Sequence, residues 1–103
     1  MDKQKREKLE ARGWKVGTVA DFLNLSPEES AIIELRLVLS NALKRQRLAS
    51  KMSQASFAKM LRSSQSRIAK MEAGDPSVSF DLLIRNLLVT GIDRKKLSEI
   101  IGA

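Results

Sequence analysis

The sequence predicts an all-α fold of five to six helices, and two observations lead to this class. Apolar residues recur at helical rather than alternating spacing, and the apolar runs follow residues suited to start a helix. Only four of the 103 residues are aromatic. Aliphatic residues and methionine must therefore form most of the core, which suits packed helices. A chain of this length has room for one domain.

The amino-terminal part carries the weakest signals. Residues 1–13 alternate charges with little to bury, which predicts a flexible basic arm. After this arm, Thr18 is placed to cap a short helix through Leu23. We expect Trp14 and Phe22 to cover the long helix that follows, because a lone Trp is usually buried.

The long helix has a strong start signal and an unusual apolar surface. Ser26-Pro27-Glu28-Glu29 combines a capping serine, a proline at the first helical position and a glutamate that completes a capping box. The apolar residues between 32 and 43 form a band broader than one helix face. This breadth predicts that the helix packs on its own domain and on something else. Its end is expected near Ser50.

Shorter helices are expected after the long one. Residues 52–61 and 64–72 form two of them, and Ser79 caps a third that runs to Val89. Asp93 caps a last short helix, whose apolar residues are Leu97, Ile100 and Ile101. Both this apolar tail and the surplus on the long helix are candidate dimer interfaces.

The net charge of +7 is concentrated in one segment. Residues 41–74 hold eight basic side chains and a single acid, Glu72. A concentrated basic face attracts a phosphate backbone through counterion release. A merely solvated surface is the alternative interpretation of charge alone.

Histidine and cysteine are absent, which restricts the chemistry available. Common catalytic dyads, zinc sites and disulfides have no candidates, so we expect neither an enzyme nor a bound cofactor or metal. The longest mainly apolar stretch, residues 31–39, is too short and too charged to span a bilayer. A protein of the cytoplasm, without a signal peptide, is the expectation.

The segment from 54 to 71 has the pattern of two helices joined by a tight turn. Phe57, Leu61, Ile68 and Met71 are spaced to bury together, and Ala58 supplies a small residue where the helices cross. The second helix then projects its first turn outward. These apolar residues would be core under any function, so the polar residues of that turn carry the functional signal.

That first turn holds side chains suited to reading DNA. Gln65 pairs with an adenine edge, Arg67 pairs with a guanine edge, and Ser66 serves either a base or a phosphate. A second set of residues positions the phosphate backbone: Gln54 at the start of the preceding helix, Ser64 as the cap, and Lys70 one turn beyond Ser66.

The segment from 43 to 88 resembles the phage-repressor (XRE-type) helix-turn-helix family. Ser53-Gln54 opens one helix, Ser64-Gln65-Ser66-Arg67-Ile68 opens the recognition helix, and Lys70-Met71-Glu72-Ala73-Gly74 closes it. The chain is closer still to HigA-type antitoxin regulators. Its residues 13–23, 25–29 and 73–79 resemble their amino-terminal extension and the loop after their recognition helix.

The resemblance implies a lambda-repressor-like fold with an N-terminal helical extension. It divides a single domain into the arm of residues 1–13, an extension over 14–40, a helix-turn-helix core over 41–91 and a C-terminal helix over 92–103. It also implies a homodimer on a palindromic double-stranded DNA operator, repression of the protein's own operon, and a RelE/HigB-like ribonuclease toxin as partner.

This chain departs from the family in the interhelical turn. Family members usually have glycine followed by an apolar residue there, whereas this chain has Arg62 and Ser63. A non-glycine residue in the left-handed region costs roughly 1–2 kcal/mol, so we expect strain or a re-shaped turn, with a phosphate contact by Arg62 in compensation.

Three interpretations remain open after the sequence alone. The leading one is a DNA-binding repressor, the antitoxin of a toxin–antitoxin pair. The alternative is a protein-interaction module that neutralises a toxin without specific DNA binding. RNA binding is weaker, because the basic segment lacks aromatic side chains free to stack on bases.

Overall fold

The computed structural model describes residues 24–102, and within that range it consists of five α-helices without a strand. The helices are α1 (Pro27–Ala49), α2 (Gln54–Met60), α3 (Gln65–Glu72), α4 (Phe80–Val89) and α5 (Arg94–Gly102). The all-α prediction is confirmed, and the predicted end of the long helix near Ser50 differs from the observed end by one residue. The division of one domain into four segments stays a prediction.

Contacts divide the chain into two units, and the first ends at Ile33. Within it, the predicted capping box is present at the start of α1. The Ser26 hydroxyl accepts the Glu29 amide at 3.1 Å, and the Glu29 carboxylate accepts the Ser26 amide at 3.3 Å. Two of the unpaired amides of the first turn are thereby satisfied. The predictions for Trp14, Thr18 and the basic arm lie outside the described residues.

The second unit, from Glu34 onward, contains the hydrophobic core. Phe57 and Ile68 have no exposed surface, and Ala58 is 3% exposed where α2 packs on α3. These were the residues expected to bury together, with Leu61 partly buried beside them. The other buried apolar residues come from every part of this unit except α5: Leu39, Ala42, Leu43, Met71, Val78, Leu83, Leu87 and Ile92.

The helices α1 to α4 all end through one left-handed residue. The four residues are Lys51, Arg62, Gly74 and Gly91, with φ angles of 55°, 54°, 71° and 103°. In each case the next amide bonds back to a carbonyl five residues earlier, which is the closure of a Schellman motif. Glycine pays no steric cost in this conformation, but lysine and arginine do.

Gly74 also lies close to a side chain of α1. A Cβ atom built at this position would lie 2.8 Å from Cδ2 of Leu37 on α1. A side chain at this position would therefore displace the end of the Leu37 side chain.

The interhelical turn keeps its regular hydrogen bonds despite Arg62. The Arg62 amide donates to the Lys59 carbonyl at 3.2 Å, and the Ser63 amide donates to the Ala58 carbonyl at 2.8 Å. The expected strain is present as a left-handed arginine rather than as a broken turn. The Ser63 hydroxyl is buried and has no hydrogen-bond partner within the described residues. It stands where this motif usually makes an apolar contact.

We predict that Arg62→Gly raises the free energy of unfolding by about 1 kcal/mol, because it removes the steric cost of a side chain at positive φ. Urea unfolding followed by circular dichroism measures the change. Lys59→Gly, one turn earlier inside α2, is the matched control. It should lower stability by about 1 kcal/mol, as glycine does in a helix interior. A loss of stability in both variants would contradict the left-handed turn.

Candidate nucleic-acid interface

The first turn of α3 is an exposed polar tip on a buried helix. Ser64 has extended backbone angles, and its hydroxyl accepts the Arg67 amide at 3.2 Å, so it is the N-cap as predicted. Gln65, Ser66 and Arg67 are all exposed, whereas Ile68 and Met71 further along the helix are buried. The tip is therefore free to contact a ligand while the rest of α3 anchors it.

Lys70 lies on the same side of α3 as Arg67. The two side chains line one cavity of 310 Å³, together with Ser77 and Ser79 from the loop that follows. Lys70 is exposed, and a cation one turn from the tip is suited to a flanking phosphate. Ser77 was not expected at this site, and the sequence pattern indicated Ser79 only as a helix cap. The polar loop directly after the recognition helix was the signal that could have pointed to both.

The loop after α3 is held by contacts of its own. Asp75 accepts the Ser77 amide at 2.8 Å, and hydrogen bonds from Ser77 are the main cause that lowers the pKa of the Asp75 carboxyl. Arg36 of α1 donates to the Val78 carbonyl, and its guanidinium lies 4.7 Å from the centroid of the Phe80 ring. These contacts fix the backbone that carries Ser77 and Ser79.

An ion pair fixes the other end of α3. Arg47 of α1 makes two parallel hydrogen bonds to Glu72, from Nε to Oε2 at 2.7 Å and from Nη2 to Oε1 at 3.0 Å. The side chains are 12% and 4% exposed. The hydrogen bond and the charge of Glu72 raise the pKa of Arg47 against the opposing effect of burial. Arg47 also donates to the Met52 carbonyl at 3.0 Å, which ties the α1–α2 connection to the pair.

Gln54 takes part in the same network. Its Nε2 atom lies 3.3 Å from Oε1 of Glu72, and the side chain is partly buried. One amide hydrogen is thus donated within the protein, a contact that the sequence did not predict. The phosphate contact predicted for Gln54 stays a prediction.

The ion pair shapes the charge of the surface. Glu72 is the single acid of residues 41–74, and it is matched internally by Arg47. The other basic side chains of this segment are exposed: Lys44, Arg45, Lys51, Lys59, Arg62, Arg67 and Lys70. No carboxylate of the segment is left to offset them, so the predicted basic character is expressed at the surface.

Among residues 24–102, no cluster of three acidic side chains is placed to hold a metal ion. No helix in that range is long and apolar enough to cross a membrane.

Comparison with known proteins identifies the family. A family model described as helix-turn-helix matches residues 43–97, more than half of the chain. The match begins within α1 and contains α2, α3 and α4 complete, so it includes both halves of the predicted motif. Searches of curated proteins and of solved structures gave no match.

The matched region is the one whose α2 and α3 pack through Phe57, Ala58 and Ile68, with an exposed polar first turn on α3. Fold, motif and family model agree. The chain belongs to the XRE-type helix-turn-helix family of DNA-binding transcription regulators.

Proposed function

We propose that this protein is a dimeric, sequence-specific repressor that reads a palindromic operator with α3. The observation that carries the proposal is the exposed tip of Gln65, Ser66 and Arg67 on a helix that the buried Ile68 and Met71 anchor. A helix that presents polar side chains at its N-terminal end is the geometry with which helix-turn-helix proteins contact base edges in the major groove.

The three tip residues divide the reading of bases between them. The Gln65 amide both donates and accepts, which matches the N6 and N7 atoms of adenine. The Arg67 guanidinium donates twice, which matches O6 and N7 of guanine. Ser66, with a short hydroxyl, contacts a base or an adjacent phosphate. Their exposure leaves all three side chains free to reach a groove.

A second group of residues positions the backbone of the DNA. Lys70 lies beside Arg67 and contacts a flanking phosphate. Ser64 and Gln54 stand at the starts of α3 and α2, where backbone amides point outward. Such contacts fix the register of the protein on the duplex without selecting a sequence.

The biological role that we propose is autoregulation as the antitoxin of a toxin–antitoxin pair in the cytoplasm. Its support is the resemblance to HigA-type regulators, and of the segments that carry it the structure describes residues 25–29 and the loop over residues 73–79 in full. A RelE/HigB-like ribonuclease toxin is the proposed protein partner. The structure does not describe residues 13–23, which carry the remainder of the resemblance.

The alternative, a toxin-neutralising module with a vestigial DNA-binding motif, depends on deformation of the interhelical turn. The regular hydrogen bonds around Arg62 and Ser63 weigh against it, because they retain the Schellman closure between α2 and α3. We therefore favour operator binding as the function of the motif.

A gel-shift titration against the DNA upstream of this protein's own gene tests the proposal directly. Scrambled competitor DNA and two salt concentrations separate specific from electrostatic binding. A discrete complex that survives excess competitor is expected. Equal competition by scrambled DNA would leave only a basic surface and would favour the toxin-binding alternative.

We predict that Gln65→Ala weakens operator binding by roughly 1–3 kcal/mol and relaxes specificity at one base position per half-site. The loss arises because alanine removes both hydrogen bonds to the base edge. Competition against operators substituted at each position measures the effect. Equal weakening for every sequence would show that Gln65 does not read a base.

We predict a different result for Lys70→Ala, because a phosphate contact carries no sequence information. Affinity should fall uniformly across sequences, and the slope of log affinity against log salt should become shallower by about one unit. Lys95→Ala, an exposed lysine of α5, is the control of equal charge change and should leave the slope unchanged. An unaltered slope for Lys70→Ala would remove this residue from the interface.

A further inference from the structure

Two of the four left-handed residues that follow helices carry a positive charge. Lys51 follows α1 with a φ angle of 55°, and Arg62 follows α2 with a φ angle of 54°, whereas Gly74 and Gly91 follow α3 and α4. Both cationic side chains are exposed. Neither has an ion-pair partner within residues 24–102, so their charges are available to a ligand.

Local stability does not explain why a cation occupies these two turns. The left-handed conformation is unfavourable for a residue with a side chain, and glycine avoids this cost. A cation that follows a helix interacts favourably with the carboxyl-terminal end of the helix dipole, but at an exposed position this gain is smaller than the steric cost. Residues held in disfavoured backbone conformations cluster at functional sites. The side chains of Lys51 and Arg62 therefore point to a role outside folding.

The two cations lie near opposite ends of the recognition helix. Arg62 is two residues before Ser64, the cap that begins α3. Lys51 is three residues before Gln54, a distance of at most about 10 Å along the chain, and the Gln54 amide bonds to Glu72 at the other end of α3. The eight residues of α3 span about 12 Å, which is close to the width of the major groove of about 12 Å. A helix of this length in the groove brings both turns towards the phosphate backbone.

We propose that Lys51 and Arg62 contact DNA phosphates near the two ends of the recognition helix. The inference deepens the proposed function, because it rests on a DNA-binding regulator and adds two phosphate contacts to it. The sequence pointed to Arg62 alone, through the missing glycine of the interhelical turn. The structure adds Lys51, because the same backbone conformation and the same charge recur in the turn before α2.

Both side chains have the chemistry that a phosphate contact needs. The Lys51 ammonium is a point charge on a long flexible stem, and the Arg62 guanidinium can donate two parallel hydrogen bonds to one phosphate. Such contacts hold the protein in register without selecting a base. Each contact releases condensed counterions, so the two residues together should contribute about two units to the slope of log affinity against log salt.

Lys51→Asn and Arg62→Asn test the proposal, because asparagine tolerates the left-handed conformation but has no charge. Fluorescence anisotropy of the full chain measures binding to a duplex from upstream of this protein's own gene and to a scrambled duplex of equal length. Each variant should bind both duplexes more weakly. The loss should be about three- to fourfold larger at 50 mM than at 200 mM salt, because one phosphate contact is missing.

Two control variants separate charge at these turns from charge elsewhere. Arg62→Lys retains the charge and should retain the salt slope of the original chain. Lys95→Asn removes an exposed charge from α5 and should leave the slope unchanged. The double variant Lys51→Asn with Arg62→Asn should make the slope shallower by about two units.

Glycine variants give a second measurement that a purely structural role would not reproduce. Lys51→Gly should raise the urea midpoint, as Arg62→Gly does in our prediction above, because both relieve the left-handed side chain. The same two variants should bind DNA more weakly than the original chain. Stability and affinity would then change in opposite directions, whereas a residue needed only for the fold would lose both together.

Unchanged salt slopes in both asparagine variants would overturn the proposal, and so would glycine variants that bind DNA as tightly as the original chain. A changed slope for Arg62→Asn alone would remove Lys51 from the interface. If the original chain showed no preference for the upstream duplex, the sequence-specific repressor would be contradicted. The slopes on the scrambled duplex would still decide the role of the two cations, because phosphate contacts do not depend on sequence.

Discussion

The burial of Glu72 by Arg47 is the constraint on which the position of the recognition helix depends. A carboxylate with 4% of its side chain exposed is costly to remove from water unless its oxygens are bonded. Arg47 supplies two bonds and Gln54 a third, so both carboxylate oxygens are satisfied. The donors come from α1 and α2, whereas Glu72 ends α3. One charged group thereby joins three helices.

This arrangement links stability to function. At the carboxyl end of α3 the ion pair fixes the helix, at its middle Ile68 is buried, and at its amino end Ser64 caps it. The tip can then project exposed polar side chains without losing its orientation, which is what direct readout of bases requires. The same ion pair removes the one acid of residues 41–74 from the surface, so no carboxylate of that segment offsets its exposed bases, and a surface of this kind attracts phosphates.

Local signals made much of this fold predictable from the sequence. Four predicted helix caps each accept the amide of the residue three positions later: Ser26, Ser64, Ser79 and Asp93. Because a capping bond joins residues only three apart, the sequence alone can indicate it. The burial of Phe57, Ala58 and Ile68 was predicted from their helical spacing. The exposure of the tip residues was predicted from their position in the first turn of the second helix.

The contacts that the sequence did not predict join residues that are far apart along the chain. Arg47 and Glu72 are 25 positions apart, and Arg36 contacts Val78 across 42 positions. Arginine and glutamate are normally surface residues, so nothing in the sequence marked them as a buried pair. The hydrogen bond from Gln54 to Glu72 was not predicted, for the same reason. The left-handed Arg62 was anticipated, because the departure from glycine is visible in the motif itself.

Urea unfolding of Glu72→Gln measured beside Glu99→Gln is the most direct test of the dependence on Glu72. The Lys96–Glu99 pair is the matched control, since its atoms lie 3.9 Å apart and its side chains are 63% and 57% exposed. Loss of the buried carboxylate should cost about 3 kcal/mol, and loss of the exposed one less than about 1 kcal/mol. Equal small losses for the two variants would contradict the view that Arg47 and Glu72 hold the recognition helix in place.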